Sequence, residues 1–372
     1  MRLATLTEEE VIRLADECRG CGVCEARCPG GVNRRLLFAY IRLGDWDSAS
    51  KASRNCVACN ICEEVCPWKL PGAYVVDEVR WKRPRGELGE ALDLIVKAGN
   101  PLGQLHEHRL RWAEELRLKA KPNHVARDLL GRCALFTGCM YSYREAEAAR
   151  AAYRLLVEAG VEVHLSPMEW CCGFLLVRAG LVERASEAAS RNVEAYESME
   201  VDTLITLCPA CDATWRRDYP ALIGRPRFRV VHFTEALELL FREGVVEAAS
   251  RLKASATFHD PCHLARGPAR LVEQPRSILK MVEGLDYVEM LRWGARTRCC
   301  GSTLRLYEYG AVRRLSELRV RDAEKVGAEL LVTMCPFCHV NLSGAAKRLR
   351  SKVKVVELPS LMERVGVRRV EG

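Results

Sequence analysis

Apolar and polar residues alternate along this chain with two different periods. In the first third the spacing is helical. Thr7 and Glu10 form a capping box, and Val11, Ile12, Leu14 and Ala15 continue a short amphipathic helix. Leu36, Leu37, Ala39, Tyr40 and Ile41, with Trp46, make a second helical stretch. From about Val75 to Asn123 the pattern stays helical and turns basic (Trp81, Lys82, Arg83; then His108, Arg109, Arg111, Trp112), with breaks at Pro84, Pro101 and Pro122. This stretch reads as a connector packed on the N-terminal part, its basic stripe an ordinary solvated face.

After residue 132 the period changes, and the chain repeats itself. The first copy has strands at Cys133 to Thr137, Val161 to Leu165, Val201 to Leu207 and Phe228 to His232. Helices fall between them, one ending at Gly160, one near Glu183 to Met199, and one opening after Thr234. The second copy repeats the order with strands at Ala256 to His259, Asp286 to Met290, Glu329 to Met334 and Lys354 to Glu357. Its helices lie around Arg276 to Val282, near Arg305 to Glu324, and after Pro359. Strands alternating with helices at these lengths predict a parallel sheet in each copy, a Rossmann-like α/β unit. Ligands of such sheets gather at the carboxyl ends of the strands.

The cysteines follow the repeat. Cys139 precedes Cys171-Cys172-Gly173 and then Cys208-Pro209-Ala210-Cys211; Cys262 precedes Cys299-Cys300-Gly301 and then Cys335-Pro336-Phe337-Cys338. Each set therefore brings five thiols to strand ends, and each C-x-x-C opens a helix whose N-terminal dipole suits an anionic group. In the N-terminal part the run Cys18-x2-Cys21-x2-Cys24-x3-Cys28-Pro29 recurs as Cys56-x2-Cys59-x2-Cys62-x3-Cys66-Pro67. This is the run of two-cluster ferredoxins, in which the fourth cysteine of each run serves the other cluster. Carried onto this chain, one [4Fe-4S] cubane takes Cys18, Cys21, Cys24 and Cys66, and the other takes Cys56, Cys59, Cys62 and Cys28. Zinc is the competing occupant of any C-x-x-C pair, although a tetrahedral zinc site needs only four of the five thiols kept in each later set. Cys133, outside both patterns, reads as a buried small residue. His259 and His263, which bracket Cys262, read as hydrogen-bond donors or as satisfied core histidines.

Composition narrows the class further. Nineteen cysteines in 372 residues are too sparse for a disulfide-stapled secreted domain and are clustered as metal or redox motifs. The N-terminus carries Glu8, Glu9 and Glu10 and reads as no secretory signal, and no apolar run approaches the ~20 residues of a membrane span. The expectation is a cytoplasmic protein that reaches a membrane only through a partner. The formal charge of +8 counts every cysteine as neutral, so the basic excess reads as a counter-field for anionic clusters or an acidic partner rather than a nucleic-acid footprint. Gly-x-Gly-x-x-Gly is absent, which points to a protein electron donor.

The two cubane runs followed by two complete Cys-Cys-Gly sets resemble heterodisulfide reductase, in the fused form that joins its ferredoxin-like and CCG subunits. The resemblance covers almost the whole chain. It implies a multi-domain protein, with a mainly α-helical two-cluster ferredoxin domain and connector at 1–125 and a duplicated α/β CCG pair at 132–250 and 254–372. It also implies a non-cubane [4Fe-4S] cluster on Cys139, Cys171, Cys172, Cys208 and Cys211, and another on Cys262, Cys299, Cys300, Cys335 and Cys338. The two would flank a small disulfide and deliver one electron to each sulfur. The partners implied are a flavoprotein subunit or a membrane cytochrome. The same CCG unit is similar to that of iron–sulfur subunits in glycolate, lactate and glycerol-3-phosphate dehydrogenase complexes, which pass electrons without a disulfide substrate.

Overall fold

The computed structural model of the chain describes residues 6–84, 89–114, 116, 121–306 and 308–370. Its N-terminal part is helical, as the 3.6-residue period requires. Thr7 caps the helix Glu8–Asp16 with both halves of the capping box in place, and Val11 and Ala15 are buried against Leu37, Phe38 and Ile41 of the helix Arg34–Arg42. The helix Gly72–Lys82 closes this core through Val75, Val76 and Val79.

The second half contains two four-stranded sheets, every strand parallel to its neighbours. In the first, β1 (Cys133–Phe136), β2 (Val163–His164), β3 (Thr203–Thr206) and β4 (Arg229–His232) lie in the order β2-β1-β3-β4. The short strand β5 (Val246–Ala248) leads into the second sheet. There β6 (Ala254–His259), β7 (Leu285–Tyr287), β8 (Leu330–Thr333) and β9 (Lys354–Glu357) take the matching order β7-β6-β8-β9. Helices cover both faces, so β1, β3 and β8 are buried at every position. The last strand, β10 (Val367–Arg369), returns to pair antiparallel with β5, a two-stranded ribbon outside the predicted strands.

The two copies grip each other reciprocally. The closing helix of the second, Leu358–Val365, packs on Ala146–Glu158 of the first, and the closing helix of the first, Phe233–Arg242, packs on Glu273–Lys280 of the second. One hydrophobic core runs through both. The exchange turns the carboxyl ends of β1 and β3 toward those of β6 and β8, and each of these ends leads within three residues to a cysteine.

The connector departs from expectation. Residues His106–Ala113 form 3-10 rather than α-helical turns, and they pack on the first α/β copy rather than on the N-terminal part. Arg109 and Trp112 are buried, so the basic stripe is not a solvated face there. The Arg109 guanidinium lies 2.7 Å from Glu169, and Glu169 also accepts from the backbone N–H groups of Thr137 and Gly138 and from the Tyr196 hydroxyl. Removing one partner of such a buried pair costs about 3–5 kcal/mol.

One buried acid crosses between the copies. Tyr141 of the first donates to Glu357 at the end of β9, 3.1 Å away. Burial pushes the Glu357 carboxyl up to about 8, with Glu145 and Cys208 adding to the shift and His339 opposing it. A folded-state pKa above the ordinary value gives stability that is complete below about pH 4.5 and is lost as pH rises through about 8. Glu357→Gln keeps the shape without the titration. In equilibrium unfolding between about pH 5 and 8, the unsubstituted chain should therefore lose stability relative to the variant, with a slope approaching ~1.4 kcal/mol per pH unit that flattens above about pH 8. Parallel curves would show that Glu357 is not protonated in the fold.

Candidate metal centres

Around the first cysteine run lies a small pocket lined by five thiols, Cys18, Cys21, Cys24, Cys62 and Cys66, together with Arg34, Phe38 and Trp68. Cys21 is exposed, whereas Cys56, Cys59 and Cys62 of the second run are buried. Cys28 lies beside Cys56 and accepts from the Val32 backbone N–H at 3.3 Å. Arg34 sits among Cys62, Cys56, Cys28 and Cys24. It is buried, donates to the Gly72 carbonyl at 2.6 Å, and reaches the Cys62 sulfur at 3.4 Å. A permanent cation there offsets the negative charge of two thiolate sets.

The two later sets converge more tightly than the repeat alone implied. The thiols of Cys139, Cys171, Cys172, Cys211 and Cys208 neighbour one another in turn. Those of Cys335, Cys338, Cys300, Cys299 and Cys262 do the same, with a hydrogen bond of 3.2 Å between the sulfurs of Cys300 and Cys338. Cys208 neighbours Cys335, so all ten thiols form one array across the two copies. At its far end Cys262 lies next to Cys59 of the second N-terminal cysteine run. Arg266 fastens that junction, donating to the Cys59 carbonyl at 2.6 Å while its own carbonyl accepts from Asn60.

The glycine of each Cys-Cys-Gly has left-handed φ, +77° at Gly173 and +81° at Gly301, which turns the two sulfurs inward before a new helix begins. Protons shared between such close neighbours split their values, some well below the ordinary thiol value and others well above it. Ionising all ten at once needs cations inside the array, and all-sulfur donor sets of this kind suit iron and other thiophilic metals.

Family models match along these same segments, a cysteine-rich domain at residues 133–216 and 256–343 and a 4Fe-4S dicluster domain at 17–70. The D-type subunit of a dihydromethanophenazine:CoB–CoM heterodisulfide reductase from Methanosarcina acetivorans is 32% identical over 355 residues, covering 92% of this chain and 75% of the relative. The chain belongs to the family of that heterodisulfide reductase subunit. The B-type subunit of a fumarate reductase (CoM/CoB) from Methanothermobacter marburgensis is 30% identical over 93% of this chain and 71% of its own length. A probable glycolate oxidase iron–sulfur subunit of Bacillus subtilis is 25% identical over 95% of this chain and 83% of its own length. Among solved structures, a hypothetical protein from Helicobacter pylori shares the fold, with TM-score 0.59 and 11% identity over 96% of this chain and 71% of that one.

As a member of this heterodisulfide reductase family, the protein is an iron–sulfur electron-relay subunit of a reductase that works within a complex. The ferredoxin-plus-paired-CCG architecture expected from the spacing is present. Cys133 is buried in β1, as its place in a strand suggested. His263 lies 3.6 Å from the Cys262 sulfur, and His259 faces Cys300 and Cys338 instead of Cys262. Three arginines are central to these sites. Arg34 and Arg266 do not stand out in the sequence, and Arg109 reads there as part of a solvated stripe. Nothing in their local pattern separates them from the exposed arginines around them.

Gly138 has φ +75°, and a Cβ there would stand 3.0 Å from the Cys211 sulfur. Gly138→Ala should therefore displace the Cys211 sulfur and lower the iron content of the protein, read by metal analysis beside the optical spectrum. Full iron content would show that this approach does not shape the site.

Proposed function

We propose that the chain reduces a small disulfide held between its two CCG units. In this reading the division into 1–125, 132–250 and 254–372 is a division of labour. The first unit holds one cubane on Cys18, Cys21, Cys24 and Cys66 and a second on Cys56, Cys59, Cys62 and Cys28. The other two units hold one non-cubane four-iron cluster each, on the five-thiol sets given above. The observation that carries the reading is the cavity between the copies, about 190 Å3 in volume, where Met140, Phe174 and Pro209 of the first copy face Cys262, Cys335, Phe337 and Cys338 of the second. A smaller pocket shares Met140, Phe174, Leu175 and Phe337 with it and is lined by all five thiols of the first set.

Bound clusters supply electrons one at a time, which is the chemistry a disulfide needs. The apolar walls exclude water, and Arg144 and Arg305 add positive charge at the edge of the cavity. Cleaving the S–S bond consumes two electrons and two protons and leaves two thiols. Electrons enter from a partner, either a flavoprotein subunit or a membrane cytochrome, through the exposed end around Cys21, Val23 and Trp68. Among the described residues no helix is long and apolar enough to cross a membrane. The free thiols fit a reducing cytoplasm, with any membrane contact made by the partner.

Adding a thiol to anaerobically prepared, oxidised protein should produce a paramagnetic species from the CCG pair, with four iron per CCG unit by metal analysis. Full iron without any thiol response would instead assign the chain to electron transfer alone, as in the dehydrogenase complexes. Zinc in both five-thiol sets would remove both readings.

A further inference from the structure

The two five-thiol sets share their ligand order but not their surroundings. His259 ends β6 three residues before Cys262, where Phe136 ends β1 three residues before Cys139. Phe136 packs among aromatic rings, 5.4 Å from Trp215 and 6.0 Å from Tyr196, and offers no donor. His259 is fully buried, and its Nδ1 lies 3.0 Å from Nε of Arg319, which is also fully buried. Arg319 is held in turn by the Arg292 carbonyl at 2.8 Å and by Asp322 at 3.6 Å.

This geometry fixes the tautomer. A guanidinium can only donate, so Nδ1 must accept, and in the neutral ring the hydrogen sits on Nε2. Nε2 makes no hydrogen bond of ordinary geometry. With Nδ1 taken by Arg319, it is the ring nitrogen left for the sulfurs of Cys300 and Cys338, which form a buried group with His259 whose ligand atoms all lie within 4.8 Å of one another. A nitrogen that carries a proton has no lone pair left for iron, so His259 is a donor beside the site rather than a further ligand in it.

We infer that His259, positioned by Arg319, donates an N–H···S hydrogen bond to the Cys300–Cys338 side of the second site and makes that site easier to reduce than the first. The inference rests on the proposed iron occupancy of the Cys262 set. Its physical basis is that a hydrogen bond to a thiolate sulfur stabilises the extra negative charge of the reduced state, so the potential rises. Asn341 adds to the difference, its Nδ2 lying 3.8 Å from the Cys300 sulfur. The site next to Cys59 thus becomes the first acceptor of an electron leaving the second cubane.

Redox titration of the full, iron-loaded chain followed by EPR tests this. His259→Phe, the residue the first copy carries, should lower one potential by tenfold or more in the reduction equilibrium, about 59 mV for one electron, and leave the others in place. His259→Gln, which keeps an N–H donor, should restore much of the loss. In unsubstituted protein labelled with 15N-histidine, the second site should show a weak nitrogen coupling that the Phe variant lacks. That coupling decides alone if a variant fails to load iron. Unchanged potentials in both loaded variants, or a coupling strong enough for a direct iron–nitrogen bond, would overturn the inference and leave the proposed ligands standing. Absence of any iron–sulfur signal from the Cys262 set would overturn both.

Discussion

The structure depends on one constraint, the burial of ten thiols in a single contiguous array. Thiolates withdrawn from water are costly, and thiols this close together cannot all ionise without a cation among them. The duplicated parallel sheet answers the geometric half of the problem by delivering cysteines at the carboxyl ends of β1, β3, β6 and β8. The reciprocal packing of closing helices answers the other half, since it turns those ends toward each other and brings Cys208 against Cys335. An α/β unit standing alone would gather five thiols; the pair gathers ten and encloses a cavity beside them.

The N-terminal part completes this arrangement from one side. Its second cysteine run is embedded in the second copy, with Val57, Cys59 and Ile61 sharing a core with Cys299, Leu304 and Val312. Arg266 and Asn60 lock the seam by hydrogen bonds in both directions. Contact with the first copy is of another kind, a buried ionic network in which Arg178 joins Asp77 to Asp218. One end of the thiol array therefore meets the second N-terminal cysteine run through the adjacent sulfurs of Cys262 and Cys59. The other end, at Cys139 and Cys171, is enclosed by the connector through Gly99 and Arg109.

Much of this was legible in the sequence because it is local. The capping box at Thr7, the alternation that gives β1 through β4 and β6 through β9, and the spacing of every cysteine set are properties of short windows. The ribbon of β5 and β10 was not legible, since three-residue strands far apart in sequence carry no period of their own. Nor were the burial of Arg109 by Glu169, sixty residues away, or the meeting of Cys208 with Cys335. These follow from how the two copies and the connector pack, and packing selects among chemically identical arginines and cysteines only once the chain is folded.

The central claim is that two five-thiol sites form one array, which meets the second N-terminal cysteine run at its Cys262 end. Pulsed EPR measurement of dipolar coupling between clusters, in iron-loaded protein reduced to different extents, tests it most directly. The Cys262 site should couple both to the Cys139 site and to a cluster held at the Cys56 run, and more weakly to one held at the Cys18 run. Two five-thiol sites magnetically isolated from each other would contradict it.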